Sequence, residues 1–372
     1  MTRSFYEFFA GGGMAAVGLG GGWRCAFAND IDPMKAAAYQ ANHPSTPFHL
    51  CDIAALHPDD LPGLADLAWA SFPCQDLSLA GAGAGLSGGR SGMFWTFQRL
   101  MGGLVADGRA PAVIAIENVI GLMSSNGGRD LLGAARAIAE LGYRVAMFTL
   151  DARGFTPQSR PRLFLVAQRE DIGAPPLSDE VDMRSVAEAR ASARLSEALG
   201  ERWWAARPPV VPRRNHDLID LIDWDAPAAS SDATERVLAL MTPAHRARVE
   251  AARLSPARSV GAVYRRMRTD EKGRRVQRAE VRFDGLAGCL RTPAGGSSRQ
   301  TVLLVEAGEV RSRLITAREA ASLMGLPPDY QLPRRYNDAY KLCGDGVVAP
   351  VVRFIAETII EPALSMRRNR AA

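Results

Sequence analysis

Residues 66–78 read DLAWASFPCQDLS, and their order decides how the first half of the chain folds. The apolar run Leu67–Ala70 has the length of a buried strand and stops at Ser71-Phe72-Pro73. Pro73 has no N–H to give a sheet ladder, so Cys74 falls just past the carboxyl end of that strand. In an open α/β sheet this edge is where ligands bind. Residues 78–92, SLAGAGAGLSGGRSG, follow and are too glycine-rich to hold one shape unaided. A cysteine at a strand end beside such a loop is placed as a nucleophile under a lid. Taken alone, the same cysteine reads as a core residue, because cysteine is among the most buried types. The neighbouring segments decide between the two.

Upstream, residues 4–9, SFYEFF, predict a first strand that runs straight into Ala10-Gly11-Gly12-Gly13. Glycines directly after a strand let the backbone turn and come close to a ligand. A second strand, 23–28, ends at Asn29-Asp30-Ile31-Asp32-Pro33. Asp30 follows Gly11 at the spacing of an acid that accepts hydrogen bonds from ribose hydroxyls. Asp32 and Pro33 are the cap and first position of a helix reaching Asn42. A third short strand, 48–50, ends at Cys51-Asp52-Ile53 and brings another acid to the same edge. Glycines beside the tail, one acid for the ribose and one for an adenine amino group describe an adenosine site. The missing second glycine fingerprint excludes a pyrophosphate dinucleotide, and with it a nicotinamide oxidoreductase.

Downstream, a helix over 93–105 leads to a strand over 112–116 that closes on Glu117-Asn118-Val119. A carboxylate at the end of an apolar strand is costly unless it has a partner or a task. A helix over 128–142 and strands over 143–150 and 162–168 follow, the last preceded by Gln158-Ser159-Arg160-Pro161. Alternating strands and helices predict an α/β doubly wound sheet over 1–170. From 171 the periodicity dissolves, which predicts a second, smaller, irregular domain over 171–312. Residues 313–372 then form a C-terminal segment: a helix over 316–325, a turn and a long apolar helix that must pack back on the first domain.

Charge separates the same regions. The chain carries a net +5, yet residues 241–300 hold 14 basic and 5 acidic side chains. Such a block is a candidate phosphate-binding surface. Five scattered cysteines without a Cys-x-x-Cys pair suggest neither a zinc site nor a disulfide framework and fit a reducing, intracellular setting. No apolar run is long enough to span a membrane, and no secretory pattern opens the chain.

Taken together, FFAGGG, FANDID (27–32), CDI (51–53), FPCQDLS (72–78), ENV (117–119), QSRPR (158–162), RSRLITAREAASLMGLP (311–327) and GDGVVAPVV (344–352) resemble, in order, the motifs of the C5-cytosine DNA methyltransferase family. The resemblance covers nearly the whole chain except about 171–280. It implies a Rossmann-like, S-adenosylmethionine-dependent methyltransferase sheet, with 171–312 as a target-recognition domain. It implies that Cys74 attacks cytosine C6 and that Glu117 holds and protonates N3. Arg162 would contact the flipped base, Asn118 would hold the Pro-Cys segment, and Gln158 and Arg160 would steer the DNA backbone or the loop, with Arg90 near phosphate. Phe9, Gly11, Gly13, Asp30, Ile31, Asp52, Ile53 and Phe72 match cofactor-contacting positions. The expected partner is double-stranded DNA, with no metal, acting as a monomer. Two alternatives are a tRNA cytosine methyltransferase of the same fold and a catalytically idle DNA-binding regulator. Two departures stand out: Gly12 lies between Gly11 and Gly13 where a bulkier residue is usual, and Asp345 adds a charge in the tail motif.

Overall fold

The computed structural model describes residues 2–72, 92–172, 185–205, 210–292 and 299–365. Cys74, Arg90 and all of the loop 78–92 but its last residue therefore lie outside the described residues. Two compact units divide the chain. The first comprises Met1–Asp151, Pro161–Val211 and Gly346–Ala372; the second comprises Ala152–Arg160 and Pro212–Asp345.

The first unit is built on a seven-stranded sheet. Its elements are β1 (Arg3–Phe8), α1 (Met14–Leu19), β2 (Trp23–Asp30), α2 (Pro33–Asn42), β3 (Phe48–Leu50), β4 (Leu67–Ala70), α3 (Met93–Ala106), β5 (Val113–Val119), α4 (Arg129–Ala139), β6 (Tyr143–Asp151), β7 (Pro161–Arg169) and α5 (Val186–Leu199). The order is β3-β2-β1-β4-β5-β7-β6. The strands from β3 to β5 pair in parallel, and β7 runs antiparallel between β5 and β6. The chain winds outward from β1 through β2 to β3, then crosses to β4 on the other side. That reversal opens a crevice beyond the carboxyl ends of β1 and β4.

All four residues of β4 are buried, as a central parallel strand covered on both faces requires. Helix α3 turns Phe94, Phe97, Leu100, Met101 and Leu104 inward at helical spacing. They join Phe8, Phe27 and Ile138 in the main core. Asp32 caps α2 by accepting from Met34 N at 3.0 Å, with Pro33 at the first position.

The unit limits differ from 170 and 312. Helix α5 belongs with the sheet: the Thr149 N–H donates to Glu188 at 3.1 Å, and the Trp204 N–H donates to Val145 O at 2.9 Å. The tail from 346 also joins the sheet unit. Trp23 Nε1 donates to Glu361 at 3.1 Å, and Arg353 Nη1 donates to Leu19 O at 2.7 Å. The residues 313–345 fall in the other unit.

The second unit, the smaller domain expected, is built on a sheet of its own. It contains α6 (Ser231–Ala239), α7 (Pro243–Arg253), β8 (Ser259–Thr269), β9 (Arg275–Arg282), β10 (Thr301–Glu306), β11 (Glu309–Leu314), α8 (Ala317–Leu323) and α9 (Tyr336–Asp345). The strands form an antiparallel sheet in the order β11-β10-β8-β9. Val237, Met241, Val249, Val263, Ala279, Val281 and Leu303 make its core. The expected turn at YKLCGD is the end of α9, because Ala339, Tyr340, Leu342 and Cys343 supply one buried helical face.

One ion pair is enclosed here. Arg313 and Glu319 side chains are each 4% exposed and meet at 2.5 Å. Glu319 also accepts from Thr316 N at 2.7 Å and Asp223 N at 2.8 Å. Removing one member leaves the other charge buried and alone, which costs about 3–5 kcal/mol. Glu319→Ala is expected to lower the free energy of unfolding, read from urea denaturation, by that amount. The double change Arg313→Met, Glu319→Leu should recover most of it; a single change that costs nothing contradicts the assignment.

Candidate active site

The parallel strands deliver their carboxyl ends to one edge, and the candidate residues that follow β1, β2, β3 and β5 sit there. After β1 comes Phe9, with φ at +54°, followed by the glycine turn. A left-handed phenylalanine costs roughly 1–2 kcal/mol and persists only where its surroundings enforce it. Gly11 and Gly13 are also left-handed, at +56° and +77°. A Cβ on Gly11 would meet open space, whereas one on Gly13 would lie 2.6 Å from the His43 ring. Gly13 thus gives room to the protein's own His43 and Tyr39.

Two carboxylates hold this turn. Asp30 accepts from Gly11 N and Asp32 N, both at 2.9 Å. Glu7 lies inside the sheet and accepts from the Tyr39 hydroxyl at 2.9 Å and from the backbone N–H groups of Ala15 and Ala16. Burial pushes the Glu7 carboxyl up to about 8, against the pull of those hydrogen bonds. Sequence reasoning missed Glu7. The available signal was an acid at an inward position of an otherwise apolar strand.

Beyond β2 and β3 two apolar side chains stand in the open: Ile31 is 57% exposed and Leu50 52%. Asp52 sits beside them, its Oδ1 accepting from Ala54 N at 2.9 Å. Asn29, also missed, ties β2 to β3 by donating to the His49 and Cys51 carbonyls. Ile53 and Phe72 are each 3% exposed and pack in the core, so their side chains shape the edge from behind. Phe72 meets Phe9 edge-to-face at 6.3 Å. An exposed apolar platform flanked by two carboxylates and a glycine turn fits the chemistry of adenosine, whose base stacks and whose ribose hydroxyls and amino group donate.

The antiparallel β7 completes the edge. Its register puts Val119 opposite Arg162, so Arg162 begins a strand just where Glu117 and Asn118 end one. Glu117 Oε1 and Arg162 Nε lie 2.9 Å apart, their side chains 9% and 16% exposed. Arg162 Nη1 also donates to Pro161 O at 2.9 Å. Asn118 Oδ1 accepts from Val119 N at 2.8 Å, and its buried Nδ2 has no hydrogen-bond partner among the described residues.

Gln158 and Arg160 have partners of their own. Both are buried in the second unit, where they bind backbone. Gln158 donates to Leu323 O at 2.9 Å and accepts from Leu290 N at 3.1 Å. Arg160 donates to the carbonyls of Leu290 and Gly344, both at 2.9 Å. They brace three segments of their own unit, because the buried carbonyls there need donors. Asp345 makes a short hydrogen bond with the Thr292 hydroxyl. Among the described residues no helix is long and apolar enough to cross a membrane.

The family model for C-5 cytosine-specific DNA methylase matches residues 3–361. The chain belongs to that family. It is 27% identical over 373 residues to Type II methyltransferase M.NlaX of Neisseria lactamica, covering 98% of each chain. It is 26% identical over 364 residues to Type II methyltransferase M.MspI of a Moraxella species, covering 95% of this chain and 70% of that one. Among solved structures, S. pombe Dnmt2 methyltransferase superposes with a TM-score of 0.58 at 17% identity, over 97% of this chain and 98% of that one. This family member is thus a DNA cytosine methyltransferase with the α/β fold of the methyltransferases.

The raised Glu7 carboxyl makes a signed prediction. Between about 4.5 and 8 the unfolded chain releases this proton while the folded chain keeps it. Its contribution to stability is therefore complete below the lower value and lost as pH rises through the upper one, at no more than about 1.4 kcal/mol per pH unit. Urea unfolding from pH 5 to 8 should show that decline in the wild type and a flatter profile in Glu7→Gln. Parallel profiles would refute it.

Proposed function

We propose that this enzyme methylates C5 of a cytosine flipped out of duplex DNA, through a covalent bond between Cys74 and C6. The observation that carries the reading is the Glu117–Arg162 pair at 2.9 Å on the sheet edge that also carries the adenosine-shaped platform. Asp30, Asp52, Ile31 and the turn after Phe9 would hold S-adenosylmethionine. When bound, that cofactor supplies an electrophilic methyl on its sulfonium.

Cytosine C5 is too weak a nucleophile to take the methyl unaided, and covalent catalysis answers this. The Cys74 thiolate forms a bond to C6, and the electron pair of the C5–C6 double bond moves into the ring. Glu117 gives a proton to N3 and so offsets the developing charge. Arg162, fixed against Glu117 and the Pro161 carbonyl, orients that carboxyl and reaches the base. C5 takes the methyl as its bond to the donor sulfur breaks, N3 returns its proton to Glu117, a base, water by the simplest route, removes the C5 proton, and the C6–sulfur bond breaks to return the thiolate. Asn118 Nδ2, buried without a described partner, would hold the Pro-Cys segment. The reaction requires extrusion of the base, because its C6 is covered in the stack. The likeness to Type II methyltransferases supports a modification enzyme of a restriction system, acting on intracellular DNA.

Trapping tests this directly. On duplex DNA carrying 5-fluorocytosine, with S-adenosylmethionine, the wild type should form a stable adduct, since fluorine cannot leave as a proton; Cys74→Ala should form none. Glu117→Gln should lower kcat by about 10²–10⁴ with cofactor affinity unchanged. An adduct on tRNA alone would overturn the substrate, and cofactor binding without any adduct would favour an idle regulator.

A further inference from the structure

The basic block is not spread over the second unit. Much of it stands on one hairpin. Strands β8 and β9 pair without interruption from Ala262↔Arg282 to Thr269↔Arg275. Their inner halves belong to the sheet, and Val263, Ala279 and Val281 lie in its core. Past Tyr264 the pattern changes. Every residue from Arg265 to Thr269 is exposed, where a strand covering a core would bury alternate positions. The hairpin therefore leaves the sheet as a ribbon wet on both faces.

The tip is closed firmly. Asp270 N donates to Arg274 O at 2.9 Å, and the Asp270 carboxylate accepts from Lys272 N and Arg274 N at 2.9 and 2.8 Å. Gly273 takes the left-handed position, φ +74°. This is a short hairpin loop with its glycine where the strand twist needs it.

The register sorts the side chains into two faces of different chemistry. One carries Arg266 opposite Arg278, and Arg268 opposite Val276. Here two guanidinium groups, those of Arg266 and Arg268, are fixed. Arg268 bonds Glu280 at 2.5 Å, Arg266 lies 3.7 Å from the same carboxylate, and its guanidinium stacks 5.4 Å over the Tyr264 ring. The other face carries Met267 opposite Gln277, Thr269 opposite Arg275, and Arg265. Met267 is 48% exposed, and neither Arg265 nor Arg275 has an ion pair among the described residues.

We propose that this ribbon lies in the major groove of the DNA and sets the sequence methylated, with Met267, Gln277 and Arg275 facing base edges and Arg266 and Arg268 facing phosphate. The proposal rests on the DNA methyltransferase reading above. The B-form major groove is about 12 Å wide and admits a two-stranded ribbon. An amide reads adenine, a guanidinium reads guanine, and an apolar group packs on the thymine methyl. Cations held in place by Glu280 suit phosphates, which position the protein without reading sequence. An RNA duplex is the poorer fit, because its major groove is deep and narrow.

The test uses the full chain and a library of randomised duplexes, with methylated cytosines mapped by conversion sequencing and DNA affinity measured against salt. Gln277→Ala, Met267→Ala and Arg275→Ala should each relax the preference at one or two base positions by roughly ten- to a hundredfold. Arg266→Ala and Arg268→Ala should weaken binding to all sequences alike and reduce the salt slope by about 1 each, with the preference unchanged. All five side chains are exposed, and S-adenosylmethionine binding at wild-type affinity verifies folding. If the wild type methylates a defined sequence and the first three variants keep its preference at every position, the ribbon proposal is overturned and the enzyme reading stands. If the wild type methylates tRNA and no duplex, the enzyme reading fails and the ribbon proposal with it.

Discussion

Strand β1 hydrogen-bonds to β2 on one side and β4 on the other, both in parallel, and this pairing obliges the strands from β3 to β5 to finish on one edge. Chemistry spread over more than a hundred residues of sequence is gathered there by backbone geometry alone. The glycine turn, Asp30, Asp52 and Glu117 need no long-range recognition of one another, because the ladder places them. Antiparallel β7 is the single reversal. It matters because a strand entering from that edge can present a side chain beside the end of β5, and Arg162 is that side chain.

The same edge concentrates groups that are costly to bury. Glu7, Asp30, Glu117 and Asn118 are each less than a tenth exposed. Each acid has partners. Glu7 and Asp30 together tie the start of α1 and the glycine turn to the sheet, through the N–H groups that a helix start leaves unmatched. The left-handed Phe9 stands between the end of β1 and that turn. A site built this way gives up stability for a fixed shape, since replacing its charges by apolar groups would be cheaper. Fixed dipoles and charges are what a reaction with developing ring charge needs.

The second unit follows another logic. Its sheet buries one small core, and its exposed hairpin is polar on both faces, so nothing in its own packing requires that hairpin to extend so far. The arginine-rich composition of the whole chain conceals this feature in the sequence. Only the pairing register divides residues 265–278 into a face where Glu280 tethers Arg266 and Arg268 and a face whose Arg265 and Arg275 have no ion pair among the described residues.

Much of the first unit was legible in the sequence. Apolar runs ended by glycine, proline or acid gave β1 to β7 within a few residues, because a buried parallel strand has a strong local signature. Ordered motifs gave the family. The second unit was not legible, because a ribbon wet on both faces shows no apolar alternation, and arginines in RRMRT and RRVQR have no period to read. Gln158 and Arg160 looked like solvated turn residues, since sequence spacing cannot reveal that distant carbonyls at Leu290, Leu323 and Gly344 await donors. The sequence by itself determined which residue types stand at which strand ends, because local propensity and breakers set those ends. Only the tertiary structure decided which of them meet, because strand order and register are fixed by burial summed over the whole sheet.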